Sequence, residues 1–312
     1  MSTRLSTLKS PDQLPEAPTP EVETRRPEGR PKSMLRLTLE AFVEDRTALI
    51  GIGILVAAAL FCFVGPLVYH TDQVHTDLMS SMQAPGQGHL LGTDNSGYDQ
   101  LGRLMTGGRA SLTIGFAAAA VATVIGTLWG AIAGYFGGVI DGIMMRVVDA
   151  LIAIPALFLL LVLVTIVRPT LWMMVLVLGL TAWLAPARLV RGESLSLRVR
   201  DYVQAVRVMG GSNWRAVSRH IMPNVVGVVI VNATFQVANA ILALSYLGYL
   251  GLGLTPPATD WGAMLNDGTK FIYTNAWWLI YPPGAAIILV VVAVNFIGDG
   301  VRNAFDARLQ QR

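Results

Sequence analysis

Six blocks of apolar residues, each long enough to cross a bilayer, constrain this chain more than any other feature of its sequence. They fall at roughly 48–68, 110–135, 143–167, 170–187, 225–248 and 281–301. At about 1.5 Å of helix per residue, each can traverse a hydrocarbon core of about 30 Å. The predicted fold class is therefore all-α, a polytopic membrane protein with six transmembrane helices. A composition of 53% hydrophobic against 14% charged residues excludes a globular cytosolic enzyme and a disordered chain. The formal charge of +3 is too small to argue for nucleic acid. The lone Cys62 lies inside the first block, which excludes an intrachain disulfide and a thiolate metal site.

Residues 1–33 hold Pro11, Pro15, Pro18, Pro20, Pro27 and Pro31 among charges and no apolar run, and read as a disordered tail rather than a signal peptide. Over 34–47, Leu35, Leu39 and Phe42 recur at helical spacing with Arg36, Glu40 and Asp45 between them, the pattern of an amphipathic interface helix. The remainder, 48–312, forms the six-span domain. With both termini cytoplasmic, 19 of the 23 lysines and arginines fall on inner segments, and only Arg103, Arg109, Arg168 and Lys270 fall outside. The long outer connections are then 69–109 and 249–280, and the long inner one is 188–224. A tight turn at Arg168 and Pro169 joins spans three and four.

Within the second span, Ala118, Ala122, Gly126, Gly130 and Gly134 form a stripe of small residues, predicting close approach by another helix. Asp149 lies in the third span with Arg146 three residues earlier, so an ion pair between them is expected. The inner loop reads as two helices. The first presents Tyr202, Val206 and Met209 and is broken by Gly210 and Gly211; the second is capped by Ser212, presents Trp214, Val217 and Ile221, and stops at Pro223. Apolar stripes on basic helices suit either a membrane surface or a soluble partner.

Signatures of catalysis are absent. His70, His75, His89 and His220 show no paired-ligand spacing, and no Gly-x-Ser-x-Gly elbow occurs. Asp94 to Asp99 resembles the start of a calcium loop but lacks the glycine at its sixth position and the distal glutamate. None of Lys9, Lys32 and Lys270 lies in a Gly-Lys-Ser/Thr sequence, so the chain carries no phosphate loop. ATP-driven transport would require another polypeptide to bind the nucleotide. Trp261, Phe271, Tyr273, Trp277, Trp278 and Tyr281 crowd the outer connection and are expected to anchor it at the membrane interface.

Several of these stretches resemble the inner-membrane permease subunits of ATP-binding cassette importers, specifically the C-type subunit of the oligopeptide, dipeptide and nickel group. Gln204-Ala205-Val206, three residues, Gly210, nine residues, His220-Ile221-Met222-Pro223 is similar to that family's EAA loop in spacing. Gln204, Val206, His220 and Met222 depart from the general consensus, while Arg219 to Asn224 is close to the Arg-His-Ile-Leu-Pro-Asn form of the peptide branch. Leu91-Gly92-Thr93-Asp94, Gly97-Tyr98-Asp99 and Gly108-Arg109-Ala110-Ser111-Leu112 resemble the run before span two, with Tyr98 and Gly102 as departures. Leu250 to Gly253, Pro256-Pro257 and Trp261 to Leu265 resemble the segment after span five. Gly298 to Arg302 with Asp306-Ala307-Arg308 resembles the terminal segment, with Asn303 and Ala307 among the departures.

The resemblance implies a permease in the bacterial-type plasma membrane that forms half of a translocation path for oligopeptides or dipeptides. It implies a second homologous permease, one or two ATPase subunits carrying ATP and Mg, and an extracytoplasmic substrate-binding protein. No cofactor or metal is expected on this chain, and no catalytic residue. The expected ATPase-coupling residues are Gln204, Ala205, Val206, Gly210, Trp214, Val217, His220, Ile221, Met222 and Pro223. Asp94, Asp99, Arg103, Arg109, Trp261 and Trp277 are expected to face the binding protein. Nickel chelates, haem and glutathione are alternative cargoes. A secondary carrier is disfavoured by the shortage of buried acids, and an intramembrane enzyme by the missing nucleophile or metal set.

Overall fold

A computed structural model describes residues 40, 42–86, 88–167 and 169–310. The tail 1–33, most of the interface helix expected over 34–47, and Arg168 of the expected turn lie outside the described residues. In chain order the helices are α1 (Arg46–Phe63), α2 (Gly65–Val68), α3 (Gln100–Phe136), α4 (Gly138–Ile152), α5 (Ala156–Ile166) and α6 (Leu171–Ala182). They continue as α7 (Leu184–Leu197), α8 (Asp201–Val208), α9 (Asn213–Ala216), α10 (Met222–Tyr249), α11 (Trp261–Thr269) and α12 (Tyr281–Gln310). Among the described residues the only β pairing is one isolated bridge between Thr93 and Asp99.

Four helical stretches are long and apolar enough to cross a membrane unaided: Arg46–Val68, Gln100–Phe136, Asn213–Tyr249 and Trp277–Phe305. Two bent pairs bring the number to six when each pair is one crossing. α4 and α5 bend by 82°, and α6 and α7 by 43°. The sequence suggested uninterrupted helices over 143–167 and 170–187, and prolines explain why both break. Pro155 has no N–H to continue α4 and instead opens α5. Pro186, in the first turn of α7, cannot donate to the carbonyl of Ala182, so the helix kinks at Trp183.

The helix α3 organises the bundle. Its 37 residues make it about 55 Å long, well beyond the hydrocarbon core. It starts at Gln100, ten residues before the expected span, because Asp99 caps it by accepting the N–H of Gly102 at 2.8 Å. It packs against α7, α10, α6 and α1. Ile114 of α3, Leu160 and Val164 of α5, Leu178 of α6 and Leu244 of α10 share one buried cluster. Cys62 of α1, Leu112 of α3, Ile241 of α10, Trp261 of α11 and Val294 of α12 share a second.

Small residues set how closely these helices approach. A Cβ built on Gly126, Gly130 or Gly134 would lie 2.4–2.6 Å from Pro186, Ala187 or Ser194 of α7. Ala122 is buried in the same seam with Trp183 and Ala187. A parallel case joins α1 and α12: a Cβ on Gly300 would lie 2.4 Å from that of Ala48, and one on Gly51 would lie 2.6 Å from the carbonyl oxygen of Ala293. Nothing in the sequence pattern had singled out that second contact.

Candidate coupling surface and loop-end network

Two regions carry the chemistry read from the sequence, at opposite ends of α3. The first is the connection from α7 to α10. Its helix α7 runs on through Arg188 to Leu197, so the excursion from the bundle is shorter than 188–224 suggested. Gly210 adopts φ +76°, a left-handed conformation that glycine takes without strain, and this turns the chain from α8 toward α9. Ser212 caps α9 by accepting the N–H of Arg215 at 3.2 Å. Pro223 does not stop a helix. A π-helical turn at Val217–Ile221 carries the chain directly into α10, where Pro223 lies in the first turn and needs no N–H donor role.

The two faces of this hairpin separate cleanly. Val203, Val206, Ala216, Val217, Ile221 and Val225 pack inward against Ala131 and Tyr135 of α3 and Val190 of α7. The hydroxyl of Tyr135 lies 3.0 Å from Oδ1 of Asn213, adding a polar tie between α3 and α9. Val217 is 3% exposed and Ile221 is fully buried, whereas Trp214 is 63% exposed. Of Trp214, Val217 and Ile221, the apolar residues that the second helix was expected to present, only Trp214 is free to meet a partner. Val206 is likewise a core residue. Gln204, Ala205, Gly210 and Pro223 are exposed, and His220 and Met222 are partly so. The outward apolar surface is Tyr202, Val208, Met209 and Trp214, with Arg215 and Arg219 also exposed.

Beneath the hairpin, Asp141 of α4 and Arg191 of α7 form a two-pronged ion pair through Nε and Nη2. Asp149 pairs with Arg188 of α7, not with Arg146 as its own helix suggested. The kink between α6 and α7 brings Arg188 over α4, a contact that no local spacing encodes.

The second region lies at the other end of α3, where residues 69–99 and 250–280 meet. Here the sequence expectation of an outward-facing set is overturned for most of its members. Asp94, Asp99, Arg103 and Trp261 are all buried. Arg103 places Nε 3.4 Å from Oδ2 of Asp94 and stacks its guanidinium 4.3 Å from the ring centre of Tyr98. Asp99 accepts from the Tyr69 hydroxyl at 2.9 Å and lies 2.9 Å from Nδ1 of His89 while capping α3. Burial raises the Asp94 carboxyl above its ordinary value, and the nearby Arg103 opposes that rise. These side chains fasten the connection to the bundle. Arg109 and Trp277 remain exposed, Arg109 lying 5.6 Å from the ring centre of Phe63.

The aromatic residues expected at the interface divide the same way. Trp261 donates Nε1–H to the carbonyl of Leu104 at 3.0 Å, and Trp278 donates its own to Thr93 at 3.1 Å, so both are internal pegs. Tyr273, Trp277 and Tyr281 are exposed. Asp260, fully buried, caps α11 through Ala263 and also accepts the N–H of Leu254 at 3.0 Å. Sequence reading missed this residue, although an aspartate directly before an apolar helical run is a recognisable cap signal. It also missed an open cleft of about 470 Å³ that brings His70, His75 and His89 together with Asp72, Asp77 and Asp99. Among the described residues no group of three such side chains is arranged to hold a metal ion.

Residues 126–311 match the family described as binding-protein-dependent transport system inner membrane component. The chain belongs to that family. It is an inner-membrane permease of the ATP-binding cassette importer class, and residues 33–85 further match the N-terminal transmembrane domain of oligopeptide transport permease C. Similar binding-protein-dependent permeases include the oligopeptide transport system permease protein of Escherichia coli, 40% identical over 283 residues that cover 90% of this chain and 93% of that one. The Haemophilus influenzae protein of the same name is 37% identical over 289 residues, covering 92% of each chain. The dipeptide transport system permease protein of Bacillus subtilis is 35% identical over 268 residues, covering 86% of this chain and 84% of that one. The hairpin α8–α9 lies inside the segment that matches the permease family.

Proposed function

We propose that this permease moves oligopeptides or dipeptides inward as half of a translocation path, paired with a second homologous permease. One or two ATPase subunits, which carry the ATP and Mg, dock on the hairpin α8–α9, and an extracytoplasmic binding protein delivers cargo to the loop end. Both termini face the cytoplasm, in keeping with the lysine and arginine distribution. The absence of a phosphate loop in the sequence supports nucleotide hydrolysis on other chains. The names of the relatives from Escherichia coli and Bacillus subtilis support peptide cargo.

The observation that carries the coupling role is the two-faced hairpin. An exposed Trp214 flanked by Val208 and Met209 is large enough to anchor in a partner's apolar cleft. Arg215 and Arg219 at the rim would steer association more than they add affinity. Because Val217 and Ile221 are wedged between α3 and α7, a push on Trp214 is transmitted to the bundle rather than lost in a loose loop. ATP-driven closure of the ATPases would then rock the spans between two access states.

The test is mass spectrometry of proteins co-purifying with a tagged chain in mild detergent, followed by reconstitution. Recovery of a second permease and a phosphate-loop ATPase, with ATP-dependent peptide uptake, is expected. A chain recovered alone and supporting ion-coupled uptake would overturn the proposal.

A further inference from the structure

The helix α10 carries polar side chains on one face in the middle of its membrane-length stretch. Asn232, Gln236, Asn239 and Tyr246 are spaced by four, three and seven residues, which keeps them within one narrow stripe of the helix. The apolar block 225–248 is centred on Gln236, so the stripe crosses the bilayer midplane. Amide side chains at that depth do not face lipid, because nothing there replaces their lost hydrogen bonds with water.

Their partners show what each one does. Pro186 leaves the Ala182 carbonyl without its helical donor, and Gln236 fills that role by donating Nε2–H to Ala182 at 2.7 Å. Gln236 is thus committed to the kink between α6 and α7. Asn239 approaches it, with Nδ2 3.5 Å from Oε1 of Gln236, yet remains exposed. Asn232 has a buried Oδ1 with no hydrogen-bond partner. Tyr246, 55% exposed, continues the stripe toward the loop end. The stripe therefore pairs one satisfied amide at a broken helix with Asn239, whose side-chain oxygen and second N–H are uncommitted, and with the exposed phenol of Tyr246.

We infer that Asn239 and Tyr246 line the solute path, Asn239 at mid-membrane, and hydrogen-bond the backbone amides of a passing peptide, with Gln236 as the positioning residue at the helix break. This rests on the importer reading above and names the contact within it. Asparagine is suited to the task because its side chain offers both the donor and the acceptor that a peptide group needs. Neutral donors and acceptors also bind without regard to side-chain sequence, and weakly enough to release.

The assembled transporter, reconstituted with its second permease, ATPases and binding protein, gives the test. Cys62 is the only cysteine, so Cys62→Ala supplies a background into which Asn239→Cys is introduced. The expected result is reaction with a membrane-impermeant methanethiosulfonate reagent, slowed several-fold when a library of di- to pentapeptides and ATP are present. Leu244→Cys, on a buried position of the same helix, should stay unreactive. In parallel, Asn239→Leu should raise the uptake KM by a few-fold to about tenfold, as for one or two lost hydrogen bonds, with ATPase-subunit recovery unchanged. An unreactive Asn239→Cys variant would place the stripe away from any water-filled path and overturn the inference. Labelling at a rate that peptides do not alter would overturn the peptide contact. Peptide uptake by the parent complex separates the two levels: its loss in every condition sinks the importer reading itself, whereas uptake with an unreactive variant sinks only the stripe.

Discussion

Replacing Gly130 with alanine should loosen the central seam of the bundle, and the structure sets the size of the effect. The new Cβ would lie 2.4 Å from the carbonyl oxygen of Ala187, 2.8 Å from the amide nitrogen of Arg191 and 2.9 Å from Cβ of Val190. Ordinary contact begins near 3.4 Å, so the closest approach is short by 1.0 Å, and the two nearest atoms are backbone that cannot rotate away. The helices α3 and α7 must separate, at the roughly 1–3 kcal/mol typical of overpacking. Against this stands the gain of about 1 kcal/mol in helix propensity when alanine replaces glycine. The net is a loss of roughly 0–2 kcal/mol. Gly192 supplies the comparison: it lies in α7 with nothing within 4 Å of its built Cβ, so Gly192→Ala should gain up to about 1 kcal/mol. The two variants should differ by roughly 1–3 kcal/mol, or several degrees in melting temperature. Thermal unfolding of the detergent-purified transporter, followed by fluorescence-detected size exclusion, reads that difference. If Gly130→Ala melts at or above Gly192→Ala, close helix approach is not what the small-residue stripe is for.

Trp214→Asp should abolish ATP-driven uptake and co-purification of the ATPase while leaving the melting temperature within a degree or two, as suits an exposed side chain. Ile221→Ala should do the reverse first, costing about 2–5 kcal/mol of stability because its side chain is fully buried, and equal stability in both variants would contradict the two-faced hairpin. Asp260→Asn should cost about 1–3 kcal/mol, because an amide has one acceptor oxygen and Asp260 uses two, for Ala263 and Leu254. Burial raises the Asp260 carboxyl above its unfolded value, so its proton is held more tightly in the folded chain. Its linked stability is therefore greatest below the ordinary carboxylate range and falls as pH climbs through the raised value; melting curves from pH 4 to 7 should flatten in the asparagine variant. Asp99→Ala should remove the cap of α3 and the hydroxyl partner of Tyr69 together, lowering stability by about 1–2 kcal/mol in the same melting assay.

Length and apolarity alone specify the all-helical membrane class, because lipid leaves few ways to satisfy a backbone and the blocks are long enough to show it. The small-residue stripe of α3 was legible for the same reason: helical period is a local property, and Gly126, Gly130 and Gly134 mark a contact whichever helix supplies the other side. The turn at Gly210, the cap at Ser212 and the position of the α8–α9 hairpin were equally local. What the sequence could not assign was partnership. Asp149 has Arg146 one turn away, yet it pairs with Arg188, because the kink at Trp183 carries α7 across α4. Val217 and Ile221 form an apolar stripe that would serve a partner or a core equally well, and only the packing of Tyr135 and Val190 against them decides for the core. Asp94, Asp99 and Arg103 are charged residues in a polar loop, where exposure is the natural expectation. The connection folds back on the bundle and buries them by pairing them with one another and with Tyr69 and His89. Periodicity records which face of a helix is apolar, but the neighbour that covers that face, and the charge that meets a charge, are properties of chain segments far apart in sequence.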